Sequence, residues 1–378
     1  MKILLVGEYS RLHNSLKEGL QKLGHEVVIL GFNDGFKDYP VDLLLSKKWD
    51  SGILKKIKIA IFRLTSFDIS SFLTYQQFKK NKKSFCNHDV VQLINENSFF
   101  CNYYFEKKIL KFIFQNNKKV FLLSCGEDYI NVNYNFQNPK EKSVIHPYLD
   151  VKISDKNFSN VLKFKKKSFK KLHEFIYQNI NGVISSDIDY HKPLERNSKY
   201  LGLIPNPINL SKLEYKPLKI NEKILIFHGI NRENYFKKGN DYFEKALSII
   251  EKRYGDKIEI IQIENIPYKD YINKYNSSHI LLDQVFSKDQ GYNALEAMAK
   301  GKVVFTGAEN EFTNYYNIQK RVCVNAKANV EYLVNELSFL IENSDEIIAI
   351  SKRAEAFVQK EHDYVKIAEI YLEVWKSN

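Results

Sequence analysis

Cysteine is scarce in this sequence: Cys86, Cys101, Cys125 and Cys323 are the only four among 378 residues, and no two form a close Cys-x-x-Cys pair. Such spacing suggests neither a disulfide framework nor a zinc knuckle, so free, mostly buried thiols are expected. Long hydrophobic runs are missing too. No apolar stretch reaches the roughly 18 to 20 residues a membrane-spanning helix needs, and Met1-Lys2 leads into strand-like sequence rather than a signal peptide. A cytoplasmic location is the expectation. The loop Gly7-Glu8-Tyr9-Ser10-Arg11 lacks the second and third glycines that let a backbone approach a pyrophosphate, which argues against NAD or FAD there. No Asp-x-Asp motif suited to a metal is evident in an obvious loop, so no metal is expected. Internal repeats and low-complexity segments are not evident.

What the chain has in quantity is positive charge. The net charge is +12, with 44% hydrophobic and 27% charged residues, the balance of a soluble globular protein long enough for two domains. Residues 1–200 carry 33 Lys and Arg against 20 Asp and Glu, while the rest carry 24 against 25. Either the first half meets something anionic, a phosphate-bearing acceptor or an acidic lipid surface, or the lysines reflect composition bias alone.

Taken in order, Lys2–Val6 reads as a buried strand, Leu12, Leu16, Leu20 and Leu23 recur at helical spacing until Gly24, and Val27–Leu30 is the next strand. This is the opening of a Rossmann-like sheet. Two stretches, 47–64 and 163–176, are basic and amphipathic. Each fits an anionic membrane surface, or a helix packed on its own sheet with a solvated lysine face. Strands at 89–94 and 119–123 follow, and the second ends in Ser124-Cys125-Gly126-Glu127-Asp128. Glu127 and Asp128 stand where they either meet a substrate hydroxyl or cap the next helix. After a strand at 181–186, Pro205 and Pro207 stiffen the chain, and the domain boundary is placed there. Strand and helix then alternate again from Lys223. The expected class is α/β, two Rossmann-like domains facing across a cleft. Residues 1–206 form the first domain and 207–359 the second, with residues 360–378 packing back on the first.

Two constellations in the second half suggest an anionic ligand. His228-Gly229-Ile230-Asn231-Arg232 leaves a strand, and Lys237-Lys238-Gly239 leads into a helix, pairing a planar guanidinium with a point charge beside a helix start. Farther on, Gln290-Gly291-Tyr292-Asn293 presents free amides at another helix start, and Glu296 one turn in can accept hydrogen bonds from a ribose. Alternatively, Glu296 is a good helix former among Ala, Leu and Met.

Ala294–Val304, with Arg232, Lys238-Gly239 and Leu203-Ile204-Pro205-Asn206-Pro207-Ile208, resembles GT-B retaining glycosyltransferases of the large group often called family four. Residues 2–30, 281–284 and 293–294 are similar to a subgroup common in surface-polysaccharide gene clusters. The sequence departs from the family at two points. Lys288, with Asp289 beside it, stands where the family has the first acid of its acid, seven residues, acid motif. Cys125–Asp128 stand where the group often has a His. The resemblance implies sugar transfer, with retention and without a metal or cofactor, from a UDP- or GDP-sugar to a carbohydrate, lipid-linked or protein acceptor. Its implied catalytic residues are Arg232 and Lys238; Glu127 and Asp128 join them as catalytic candidates, either one substituting for the His in orienting substrate, unless the site works differently. Donor contacts fall to Gly229, Asn231, Lys288, Asp289, Gln290, Gly291, Tyr292, Asn293 and Glu296, and acceptor contacts to Tyr9, Ser10 and His13. A peripheral position on the inner face of the plasma membrane goes with the basic first half. Two rivals are a catalytically inactive nucleotide-binding module of the same fold and a nucleic-acid protein. The second lacks lysines interleaved with stacking aromatics, so nucleic acid is not expected as a partner.

Overall fold

The computed structural model describes residues 1–32, 39–264 and 268–378. Ile3, Leu4, Leu5 and Val6 are all fully buried, which explains why the first strand reads as a continuous apolar run: a parallel strand covered by helices on both faces has no polar side. It is β1 (Lys2–Val6), followed by β2 (Glu26–Gly31), β3 (Leu43–Leu44), β4 (Val90–Leu93), β5 (Lys119–Ser124), β6 (Gly182–Ser185) and β7 (Tyr200–Leu203). These form a seven-stranded parallel sheet in the order β3-β2-β1-β4-β5-β6-β7. A second parallel sheet, in the order β12-β11-β10-β8-β9, uses β8 (Ile224–Ile230), β9 (Ile258–Glu264), β10 (Ile280–Leu282), β11 (Val303–Thr306) and β12 (Val324–Asn325). In each sheet the order reverses once, between β1 and β4 and between β8 and β10. A crevice opens at the carboxyl ends of strands at such a switch point.

The chain passes between the sheets at Pro205–Pro207 and comes back near its end. Ile208 N bonds to His362 O at 2.7 Å, and His362 Nδ1 lies 2.9 Å from Asn206 O. The helix Ser344–Glu361 runs unbroken past residue 359, so the turn back falls at His362 and Asp363. The last helix, Tyr364–Ser377, then lies on the first domain and buries Tyr364, Ile367, Ala368, Tyr371, Leu372 and Trp375. It crosses α1 (Leu12–Lys22) at Gly19, where a β-carbon would stand 2.3 Å from Tyr364 O.

The two basic stretches fold differently. Residues 163–165 form a separate tight turn, and the helix Lys167–Asn179 turns Phe169, Leu172 and Ile176 into the core. By contrast α2 (Gly52–Thr65) buries none of its residues. Among the described residues, no helix is long and apolar enough to cross a membrane.

Gly19→Val should lower the urea midpoint of unfolding by an amount equivalent to ~1–3 kcal/mol, the range of forced overpacking. An unchanged midpoint would show that the two helices do not cross in contact.

Candidate active site

The loop after β1 is built from left-handed residues. Gly7 has φ +86°, and a β-carbon there would meet Ile94 Cγ2 at 2.5 Å, while Ser10 and Arg11 hold φ of 51° and 80°. Side chains behind the loop fix this shape. Buried Glu8 accepts hydrogen bonds from Asn14 N at 2.8 Å and Asn14 Nδ2 at 2.6 Å. His13 is fully buried, with Nδ1 2.7 Å from Gly7 O, and burial pulls its pKa down to about 4. It is therefore a neutral prop beneath the loop. Ser10 is exposed, and the Tyr9 ring lies beside Gly126 and 6.4 Å from the Phe100 ring.

At the end of β5 the two adjacent acids separate. Asp128 is fully buried and caps the helix Tyr129–Gln137, accepting from Asn131 N at 2.7 Å and from the Ser124 hydroxyl. Burial, with Glu96 nearby, raises its carboxyl to about 7. Of the two roles open to Asp128, the cap is the one the structure shows. Glu127 instead forms an ion pair with Lys237 of the second domain. Burial alone would raise the Glu127 carboxyl, but the Lys237 ammonium outweighs it and holds it below the usual range.

In the second domain, β8 ends in Gly229-Ile230, and the Asn231 side chain caps a short turn by accepting from Glu233 N at 2.9 Å. Arg232 is held by Glu264 at the end of β9, Nε to Oε1 at 2.7 Å, and lies over the Tyr235 ring at 4.8 Å. The Lys238 ammonium sits 2.9 Å from Asp283 Oδ1 at the end of β10. Asp283 also receives Asn293 Nδ2 and Thr306 Oγ1, each at 3.3 Å. Gly239 has φ +74°, and a β-carbon there would strike Val285 Cβ at 2.6 Å, so the lysine is presented from a turn that only glycine fits. Beside it the helix Tyr292–Ala299 starts at Gly291 with no side-chain cap and no acid in its first turn. With no side chain over it, the positive end of the helix dipole favours an anion at this point. Glu296 lies one turn in and is partly exposed.

Of the remaining candidate residues, Tyr292, Lys288 and Asp289 join the domains, while Gln290 bonds within the second. Tyr292 is buried and its hydroxyl donates to Pro207 O in the connecting segment. Gln290 Nε2 donates to Gly307 O at 2.7 Å. Lys288, 5% exposed, pairs with Glu141 at 2.7 Å and with Glu311 at 3.7 Å. Asp289 accepts from Ile188 N at 3.2 Å, and burial raises its carboxyl to about 7. Asp187-Ile188-Asp189 spells Asp-x-Asp, but it opens a helix rather than standing in a loop. Asp187 caps that helix, while Asp189 accepts from Ser287 Oγ and from Lys288 N at 3.0 Å. Among the described residues, no three His, Cys, Asp or Glu side chains group to hold a metal ion.

Comparison with known proteins adds two findings. Residues 232–373 match the family model described as glycosyl transferase-like. The whole chain also superposes on solved structures. Sucrose-phosphate synthase from Thermosynechococcus elongatus gives a TM-score of 0.62 at 13% identity over 100% of both chains. Anabaena HepE in complex with UDP and glucose gives 0.58 at 12% over 100% of both. UDP-GlcNAc 2-epimerase from Neisseria meningitidis, bound to UDP-GlcNAc, gives 0.54 at 14% over 100% of both. The fold is GT-B. At such identities the likeness is one of fold alone, and no curated protein matches the chain. Within the GT-B frame, Lys238, Gly239, Asn293 and the start of the helix 292–299 meet around Asp283. Arg232 lies at the end of the same strand on Glu264, and Lys288, Asp289 and Tyr292 belong to the contact between domains. Two partners that reasoning from sequence passed over, Asp283 and Lys237, lay within motifs already singled out. The rule that ligands gather at strand carboxyl ends could have found Asp283.

Asp128 titrates near 7, against about 4 for an ordinary aspartate. A carboxyl raised by folding favours the native state below its unfolded pKa, and that stability is lost as pH rises to the folded value. Asp128→Asn, which keeps the capping oxygen, should therefore flatten the fall in unfolding midpoint between pH 4 and 7. A fall as deep as that of the unaltered chain would place the titration elsewhere.

Proposed function

We propose that this protein transfers a sugar from a nucleoside diphosphate donor, a UDP- or GDP-sugar, to a carbohydrate, lipid-linked or protein acceptor, with retention of anomeric configuration and without a metal. The observation that carries the reading is the pairing of Lys238 with an uncapped helix start, Gly291-Tyr292, at the β8/β10 switch point. A cation, a helix amino terminus without a side-chain cap and a close-approach glycine together suit a diphosphate. The match of residues 232–373 to a glycosyl transferase-like model supports the same conclusion, as does a fold shared with a protein described in complex with UDP and glucose.

In this reaction charge develops on the leaving diphosphate, and Lys238 and the helix amides stabilise it where it forms. Arg232 joins them by exchanging Glu264 for a phosphate oxygen. The departing phosphate takes the acceptor proton, so no dedicated base is required. Glu296 receives the ribose hydroxyls, and Glu127, facing Lys237 across the cleft, orients the substrates. Tyr9 and Ser10 face the acceptor. The product would belong to cell-surface polysaccharide or glycoconjugate synthesis at the cytoplasmic side of the membrane.

One observation favours a second reading, an inactive nucleotide-binding module: Arg232 and Lys288 both have carboxylate partners already. The two readings part on product. A panel of nucleotide sugars screened by thermal stabilisation identifies the donor. With that donor and an acceptor, release of free nucleoside diphosphate supports transfer. Binding without release supports the module, and epimerised sugar in the absence of acceptor would overturn both. Lys238→Ala and Arg232→Ala should each lower turnover at least ~tenfold, at the lower edge of the effect of a lost transition-state donor. Near-normal transfer by either variant would remove that residue from the chemistry.

A further inference from the structure

The helix α2 has an apolar stripe that is largely uncovered: Ile53, Leu54, Ile57 and Leu64 are exposed and Ile61 is half-buried. Ile53, Ile57, Ile61 and Leu64 recur at spacings of four, four and three residues, with Leu54 beside them, and so share one face. A helix that packs on its own domain buries such a stripe, yet here Ile53 is 73% exposed and Leu64 86%. Phe67, also exposed, extends the surface beyond the helix end, with its ring 5.7 Å from Phe72 and 6.3 Å from Phe105. The shoulders of the stripe are cationic. Lys55, Lys56, Lys58 and Arg63 lie on the helix, which contains no carboxylate, and Lys47 and Lys48 precede it. The nearest acid in sequence, Asp50, is paired with Lys58.

We infer that α2 is a docking surface for an anionic lipid bilayer, lying in the plane of the headgroups with the Ile and Leu stripe inserted. Aliphatic side chains flanked by lysines, with no acid among them, match the layered chemistry of such an interface. A second copy of the chain is a poorer occupant, because a two-fold contact through α2 would set its cations against the same cations. The other basic helix, Lys167–Asn179, has spent its apolar face on the core. Docking also brings the acceptor loop to the lipid surface: Lys47 lies over the Phe100 ring at 4.5 Å, and that ring adjoins Tyr9. The inference deepens the acceptor side of the function proposed above and rests on it only for what is transferred there.

Flotation of the full chain with vesicles, in the absence of any nucleotide sugar, tests it. The chain should float with phosphatidylglycerol and phosphatidylcholine vesicles, should stay behind with phosphatidylcholine alone, and should be released by salt. The triple variant Ile53→Gln, Ile57→Gln, Leu64→Gln should lose at least ~tenfold in partitioning with an unchanged unfolding midpoint. Lys55→Gln with Lys56→Gln should weaken binding, whereas Lys170→Gln with Lys171→Gln should leave it intact. Flotation of the triple variant like the unaltered chain would overturn the inference, as would failure of the unaltered chain to bind anionic vesicles. So would a dimer that the triple variant dissociates, which would make α2 a protein interface. Transfer to a water-soluble acceptor should survive the triple substitution, so failure of docking and failure of the transferase reading are separately visible.

Discussion

The geometry of this protein depends on one close crossing, where the last helix lies across α1 at Gly19 with Tyr364 O only 2.3 Å from where a β-carbon would stand. That contact returns the end of the chain to the first domain after it has built the second. With Ile208 N bonded to His362 O, the outgoing and returning strands form a double connection. Two parallel sheets joined in this way turn their carboxyl edges toward each other. The loops that follow β1, β5, β8 and β10 then share one cleft, although up to about 280 residues separate them in sequence.

Within the cleft, adjacent lysines divide their work. Lys237 reaches Glu127 in the first domain, and Lys238 reaches Asp283 in its own. In the proposed reaction the anionic donor competes for Lys238 with Asp283, so binding exchanges one carboxylate for phosphate oxygens rather than leaving a cation newly buried. The contact between domains is more heavily charged still. Lys288 with Glu141, Lys142 with Glu309 and Lys152 with Asp241 all cross it, a polar seam of the kind that permits relative motion more readily than a large apolar interface would.

The two basic amphipathic stretches show how far a pattern can be read. Both alternate lysines with large apolar residues at helical spacing, and periodicity alone treats them alike. In one, Phe169, Leu172 and Ile176 meet a core; in the other, the stripe from Ile53 to Leu64 meets solvent. Hydrophobic spacing fixes which residues share a face, but whether another element covers that face depends on where the sheet edge lies. The same limit applies to charge. Asp128 and Glu127 are neighbours in sequence, yet one caps a helix from complete burial and the other pairs across the cleft.

The sequence by itself determined the α/β class and two successive Rossmann-like sheets, and it drew attention to Pro205–Pro207 and to the loops around Lys238 and Gly291. These follow from local periodicity and from the backbone demands of glycine and proline, which act within a few residues. Only the tertiary structure decided which charged groups are free for a ligand and which are committed. Arg232 rests on Glu264, Lys288 on Glu141 and Glu311, and His13 lies beneath its loop rather than at its surface. Ion pairs and burial join residues from distant parts of the chain, and no local pattern encodes which carboxylate will arrive beside which cation.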